Sequence, residues 1–151
     1  MKNRLPLYGF LVAVGLMCGC AGMPGESLVQ EVAPEWSPAL PVDVFYENTD
    51  TLGERAIGVL VRFRNDFSCD RLDVVLETLT PDSLVWRDTV SVSFGGGGVE
   101  TASLTYMDVK TPYRSRSRFG RPGTYRFRFT PANPGSCTEG VIGVGVEITT
   151  N

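Results

Sequence analysis

Histidine is absent from all 151 residues. That single absence removes Ser-His-Asp and Cys-His nucleophilic catalysis, histidine-ligated zinc and the usual near-neutral general base. Cysteine is scarce, with four residues at positions 18, 20, 69 and 137. Basic residues are outnumbered, 14 Lys and Arg against 17 Asp and Glu, for a net charge of −3. A chain of that charge is not a general nucleic-acid binder. Helical periodicity is missing too, because prolines and glycines recur too often and β-branched and aromatic residues dominate. Carboxylates are plentiful, but none has a recognisable acid–base setting. The sequence therefore points to a non-enzymatic protein with no catalytic residue, no cofactor and no metal.

What is present begins with an address. Lys2 and Arg4 precede an almost wholly apolar run from Leu5 to Met17. This has the order of a secretory signal and is too short to span a bilayer. The run ends in Leu16-Met17-Cys18-Gly19-Cys20, which resembles the lipobox of bacterial lipoproteins. Gly19 fills the small position directly before Cys20, and Met17 holds the −3 position. The resemblance implies a signal peptide over 1–19 and a diacylglycerol on the Cys20 sulfur. Ala21 in place of Asp resembles outer-membrane sorting, which puts the domain in the cell envelope, facing the periplasm. Two or more acyl chains hold firmly, at about 0.8 kcal/mol per buried methylene. The expected partners are thus the membrane, through those chains, and envelope proteins.

Without residues 1–19 the chain has twelve basic residues against seventeen acidic ones, a net charge of −5, and length for one ordinary domain. Residues 20–41 carry Pro24, Pro34, Pro38 and Pro41 with no regular apolar period. They read as the acylated cysteine and a proline-rich tether that reaches roughly 25 Å, with Trp36 as either a lone packing contact, the favoured reading, or a partner contact. From Val42 the period is two. Val59, Val61 and Phe63 share a face, as do Leu72, Val74 and Leu76. Tyr125, Phe127 and Phe129 form a third set, and Ile142, Val144, Val146 and Ile148 a fourth. Such alternation buries one face of each strand. About seven strands follow, near 42–47, 56–65, 71–79, 85–94, 99–108, 124–130 and 140–149. They predict a single all-β domain over 42–151, an antiparallel β-sandwich of immunoglobulin-like order.

That order places Cys69, between the second and third strands, at the same end as Cys137, between the sixth and seventh. Two readings stand for the pair: a disulfide, favoured in an oxidising compartment, or two separate thiols. Asp66, Asp70 and Asp73 lack the spacing of a calcium loop and read as a solvated turn. Phe94-Gly95-Gly96-Gly97-Gly98 lacks the Lys-Ser/Thr and the helix of a phosphate loop, and reads as a flexible turn or bulge. Between Asp108 and Glu139 lie seven basic residues and no acid. Within that stretch Arg114, Arg116 and Arg118 alternate with serines, so an extended segment projects all three to one side. They form either a cationic partner-binding face, with Tyr113, Tyr106 and Trp86 nearby, or an edge charged against strand-on-strand association.

Several segments together resemble one family. They are Val42-Asp43-Val44-Phe45-Tyr46, Val61-Arg62-Phe63-Arg64-Asn65-Asp66-Phe67 and Asp88-Thr89-Val90. Pro122-Gly123-Thr124-Tyr125-Arg126-Phe127-Arg128-Phe129 and Gly140-Val141-Ile142-Gly143-Val144-Gly145-Val146-Glu147-Ile148 follow. In this order after a lipobox, over about 42–149, they resemble the gliding-motility lipoprotein GldH family of Bacteroidota. Arg71-Leu72-Asp73-Val74-Val75 and the segment from Pro131 to Glu139 depart from its pattern. The resemblance implies an anchored envelope lipoprotein that supports gliding-type or associated secretion machinery. The rival expectation is a lipid-anchored glycan- or ligand-binding sandwich whose contact face is the arginine stretch.

Overall fold

The alternation along the chain becomes two antiparallel sheets in a computed structural model, which describes residues 25–94, 99–132 and 136–151. Cys18, Cys20 and the glycine run 95–98 lie outside the described residues. The strands are β1 (Gly25–Glu31), β2 (Val42–Asn48), β3 (Glu54–Arg64), β4 (Arg71–Leu79) and β5 (Val85–Ser93). After them come β6 (Val99–Ala102), β7 (Tyr106–Arg118), β8 (Gly123–Pro131) and β9 (Val141–Thr150). A 3-10 turn at Ser136–Thr138 precedes β9. One sheet has the order β1-β9-β3-β7-β6 and the other β2-β8-β4-β5.

The core lies between the two inner faces, and the sequence period selects it. Val59, Val61 and Phe63 of β3 face Leu72, Val74 and Leu76 of β4 and Tyr125, Phe127 and Phe129 of β8, all nearly inaccessible to water. Each such apolar side chain contributes about 1.5–3 kcal/mol when fully buried. The fourth set is shifted at one position. A register break opposite Arg62 and Phe63 leaves Ile142 half-buried and sends Val141 inward. A bulge of this kind adds a residue to one strand and displaces the alternation locally.

The all-β antiparallel sandwich is as expected, with nine strands among the described residues in place of about seven. The inner order β6-β7-β3 against β8-β4-β5 is that of an immunoglobulin-like sandwich. The outermost places are exchanged: β2 pairs β8, and β9 pairs β3. The expected strand at 99–108 is split into β6 and the start of β7, and β7 continues to Arg118.

The tether reading of residues 20–41 also changes, because β1 lies inside it and pairs with β9 along its whole length. Trp36 is 2% exposed and belongs to the core. The cause lies on β9: Gly143 and Gly145 have no side chains on the face that β1 approaches. A Cβ at Gly145 would stand 1.8 Å from the Leu28 carbonyl oxygen. The substitution Gly145→Ala is therefore expected to lift β1 off the sheet at a cost of about 1–3 kcal/mol. Hydrogen exchange checks this, with amide protection lost over Gly25–Glu31 and retained in β3 and β8.

Candidate functional site

Two strand edges lie side by side without closing. β6 pairs with β7 only over Met107–Val109, so beyond Val109 the outer edge of β7 meets no strand among the described residues. β5 is the outer strand of the other sheet. β7 also carries extra residues relative to β3, since Gly58 pairs with Pro112, Ile57 with Arg114 and Arg55 with Ser117. Bulges bend the strand and increase its twist. The gap is a mouth of about 720 Å³, within the range of small-molecule sites, about 300–1,000 Å³.

Its walls combine an aromatic platform with guanidinium groups. Trp86 shares a face of β5 with Asp88, Val90 and Val92. Val90 and Val92 are buried in the core, yet Trp86 is 53% exposed. An indole on the core side of a sheet is thus left uncovered. Opposite it, the Tyr113 hydroxyl donates to Asp88 Oδ2, and Arg114 Nη2 donates to the same oxygen at 2.9 Å. The Arg114 guanidinium also sits over the Tyr113 ring at 4.9 Å, a cation–π arrangement. Arg121 Nε donates to Asp82 at 3.1 Å, and Asp82 accepts from the Thr80 hydroxyl at 2.6 Å. Arg116 and Arg118 share one carboxylate, Glu54, at 4.0 and 3.7 Å.

The three alternating arginines therefore do not form a single row. All line the mouth, but Arg114 turns to β5 while Arg116 and Arg118 turn to Glu54, because the bulges break the period of two. Asp82, Leu84 and Arg121 join them from turns that sequence alternation does not register. Tyr106 lies elsewhere, under the Arg62 guanidinium at 4.2 Å.

Proton positions in the mouth are fixed by these contacts. The Tyr113 hydrogen bond, and then Arg114, hold the Asp88 carboxyl below its ordinary value. The Thr80 hydroxyl does the same for Asp82. Burial, and then Asp88, push the Tyr113 phenol above its ordinary value. The mouth can offer a flat apolar surface, guanidinium donors and hydroxyls to a ligand carrying negative charge.

Elsewhere, of the three acids expected in a solvated turn, Asp66 and Asp70 lie in the β3–β4 turn, and Asp73 lies on β4 opposite Ser91. Arg64 meets Asp66 at 3.0 Å, and Arg71 grips Asp73 through two bonds at 2.8 and 3.0 Å. Among the described residues no group of three or more His, Cys, Asp or Glu converges on one point.

Cys69 and Cys137 are half-buried free thiols. A hydrogen bond with Cys137 pushes Cys69 up to about 11, so it is a poor nucleophile at neutral pH. The fold brings the β3–β4 turn against the β8–β9 connection, with Arg64 N donating to Gly140 O at 2.8 Å.

No family model matches the chain, and no curated protein matches it. Among solved structures, the enzymatically active domain of bacteriophage CBA120 tailspike protein 4 is similar, at 10% identity and a TM-score of 0.36. The match covers 83% of this chain and 15% of that one, a likeness too slight to bear on fold or activity. Fold and site together define a class, an antiparallel β-sandwich with nine strands among the described residues and a mouth between two sheet edges.

Two expectations follow from the site. Asp88 is lowered on folding, so its contribution to stability is complete above about pH 4 and is lost as the pH falls through the lowered value. Tyr113 is raised, so its contribution is complete below about pH 10 and is lost as the pH rises through the raised value. Denaturant midpoints against pH should fall at both ends. Tyr113→Phe should flatten the alkaline limb and cost about 1 kcal/mol at neutral pH. Separately, oxidation of the thiol pair should close a loop of about 68 residues and stabilise by about 4 kcal/mol. Intact mass and thermal unfolding of the oxidised and reduced forms check this, and equal stability would count against the pairing.

Proposed function

We propose that this protein is a non-enzymatic lipoprotein of the cell envelope, anchored through acyl chains on Cys20. Its β-sandwich acts as a binding module through the mouth between β5 and β7. The anchor reading rests on the lipobox resemblance, and with Ala21 it favours an outer-membrane position facing the periplasm. The observation that carries the binding reading is Trp86, an uncovered indole on the core side of β5, facing Tyr113, Arg114, Arg116 and Arg118. Such a set suits a ligand with one flat apolar face and one anionic group. The non-enzymatic reading is supported by the absence of histidine and by the locked carboxylates Asp82 and Asp88.

A second reading is support of gliding-motility-type or associated secretion machinery, favoured by the ordered GldH-like segments. Those segments supply parts of β2, β3, β5, β8 and β9, and their alternating apolar residues are core positions. In this reading the same arginine face receives an envelope protein.

Arg114→Ser, Arg116→Ser and Arg118→Ser combined separate the two. Crosslinking of the lipidated protein in intact cells, followed by identification of what is attached, is the measurement. Loss of a small anionic ligand with protein partners retained supports the binding module. Loss of gliding or secretion components supports the machinery reading. An unchanged crosslinking pattern would remove the mouth from both.

A further inference from the structure

The chain enters the sandwich at the end that holds the mouth. Gly25 pairs with Thr149 of β9, and Thr149 pairs with Ala56 of β3. The next residue, Arg55, pairs with Thr150 on one side and Ser117 of β7 on the other. Gly25 therefore stands in the transverse row of Ala56 and Ser117, three strands from β7, or about 14 Å at the usual strand spacing. The turns at 49–53 and 80–84 and the corner at 119–122 belong to this end. Trp36 and both thiols belong to the other.

Chain length then limits orientation. Four residues lie between Cys20 and Gly25, and the five steps from one to the other span at most about 18 Å of extended chain. β3 has 11 residues, and a strand of that length runs about 36 Å. With Cys20 acylated, a tether half the length of the sandwich cannot turn the far end onto the bilayer. The mouth end is the one held beside it.

The chemistry of the two ends matches that placement. At the mouth end, Arg114, Arg116, Arg118 and Arg121 meet three carboxylates, Glu54, Asp82 and Asp88. Arg116 and Arg118 divide one of these at long range, and their side chains are 81% and 58% exposed. The other carboxylates of this end are Asp50, paired with Arg55 at 2.8 Å, Glu47, which accepts from the Thr124 hydroxyl at 2.6 Å, and exposed Glu26 on β1, so the cationic character is local to Arg116 and Arg118. Leu52, Leu84 and Trp86 are 80%, 52% and 53% exposed here. Indole rings and leucine tips beside arginines suit the headgroup layer, where an amphipathic ring has one wet and one apolar side. The far end is acidic, with Glu31, Glu35, Asp66, Asp70 and Glu139, and its arginines Arg64 and Arg71 are held by Asp66 and Asp73.

The geometry points to the bilayer itself as what the mouth binds: the anionic phosphate headgroups of the membrane that holds the anchor. Arg116 and Arg118 take the phosphate, and Trp86 and Leu84 enter the interfacial layer. This rests on the anchored binding-module reading and names its ligand. Docking strengthens the anchor and fixes the acidic end outward.

The two tryptophans report on it, because Trp86 marks the mouth and Trp36 the buried far end. Acylated full-length protein is reconstituted in phosphatidylcholine vesicles with and without phosphatidylglycerol, each with nitroxide-labelled headgroups. Flotation reports the anchor, and fluorescence quenching reports the docking. Quenching is expected with phosphatidylglycerol, is lost in Trp86→Phe, and weakens as salt rises. Arg→Ser changes at 114, 116 and 118 should weaken docking about fivefold per arginine, while Arg→Lys changes retain most of it. Protein that floats but is quenched equally in both vesicles, or in neither, overturns headgroup docking and leaves the anchored module standing. If inorganic phosphate alone shifts Trp86 emission on phosphatidylcholine vesicles as strongly as the anionic lipid does, the mouth is a site for free anions and docking is overturned. Protein that does not float overturns the anchored reading.

Discussion

The open end of the sandwich depends on how Phe119 is held. Its ring closes the core from below the mouth, packing on Tyr46 at 5.1 Å and Tyr125 at 4.7 Å. The chain must then turn from β7 into β8 within a few residues, which strands carbonyl groups at a buried corner. Asn48, at the end of β2 and almost fully buried, donates its amide to the Phe119 carbonyl at 3.0 Å and to the Arg121 carbonyl at 2.9 Å. The Tyr125 hydroxyl donates to the Arg121 carbonyl at 3.1 Å. An unsatisfied buried carbonyl costs about 1–3 kcal/mol, so a corner this close to the core needs both donors. Gly123 completes it at φ 115, in the region that favours glycine. With the corner pinned, Arg121 is presented on one side of the mouth and the arginines of β7 on the other.

The core strands were legible in the sequence because a period of two acts locally and needs no knowledge of the partner strand. Val59, Val61, Phe127 and Phe129 declare their face by spacing alone. β1 was not legible, since Leu28 and Val29 have little pattern around them and the strand exists because Gly143 and Gly145 of β9 admit its backbone. That signal lies more than a hundred residues from the strand it creates. The exchange of β2 and β9 between sheets was hidden for a related reason: both alternate well, and alternation does not name a neighbour. The GldH-like segments share this limit, because their apolar residues alternate into the core, a pattern that many sandwiches fill with the same residue types.

The mouth was half legible. Charge segregation marked Arg114, Arg116 and Arg118, and Tyr113 and Trp86 were visible beside them as aromatics. Sequence could not supply the bulges that send Arg114 to Asp88 and the other two to Glu54, nor the fact that β7 outruns β6 and leaves an edge open. An edge strand invites association with another strand, and arginines along it oppose that. The same arginines can serve the mouth, so the two readings of the stretch are compatible.

Protonation distinguishes this site from one built on histidine. Arginine stays charged throughout the accessible pH range. Asp82 and Asp88 are held below the ordinary carboxylate range, and Tyr113 above the ordinary phenol range. Between about pH 5 and pH 9 no group in this set changes charge. Anion binding at the mouth is therefore insensitive to pH over that window and sensitive to ionic strength, since exposed guanidinium groups are screened over about 10 Å at 0.1 M salt. In the anchored state proposed above, a short tether would offset that screening by keeping the local concentration of headgroups high. In that state, charge on the arginines would set what is attracted, and the tether how often it is met.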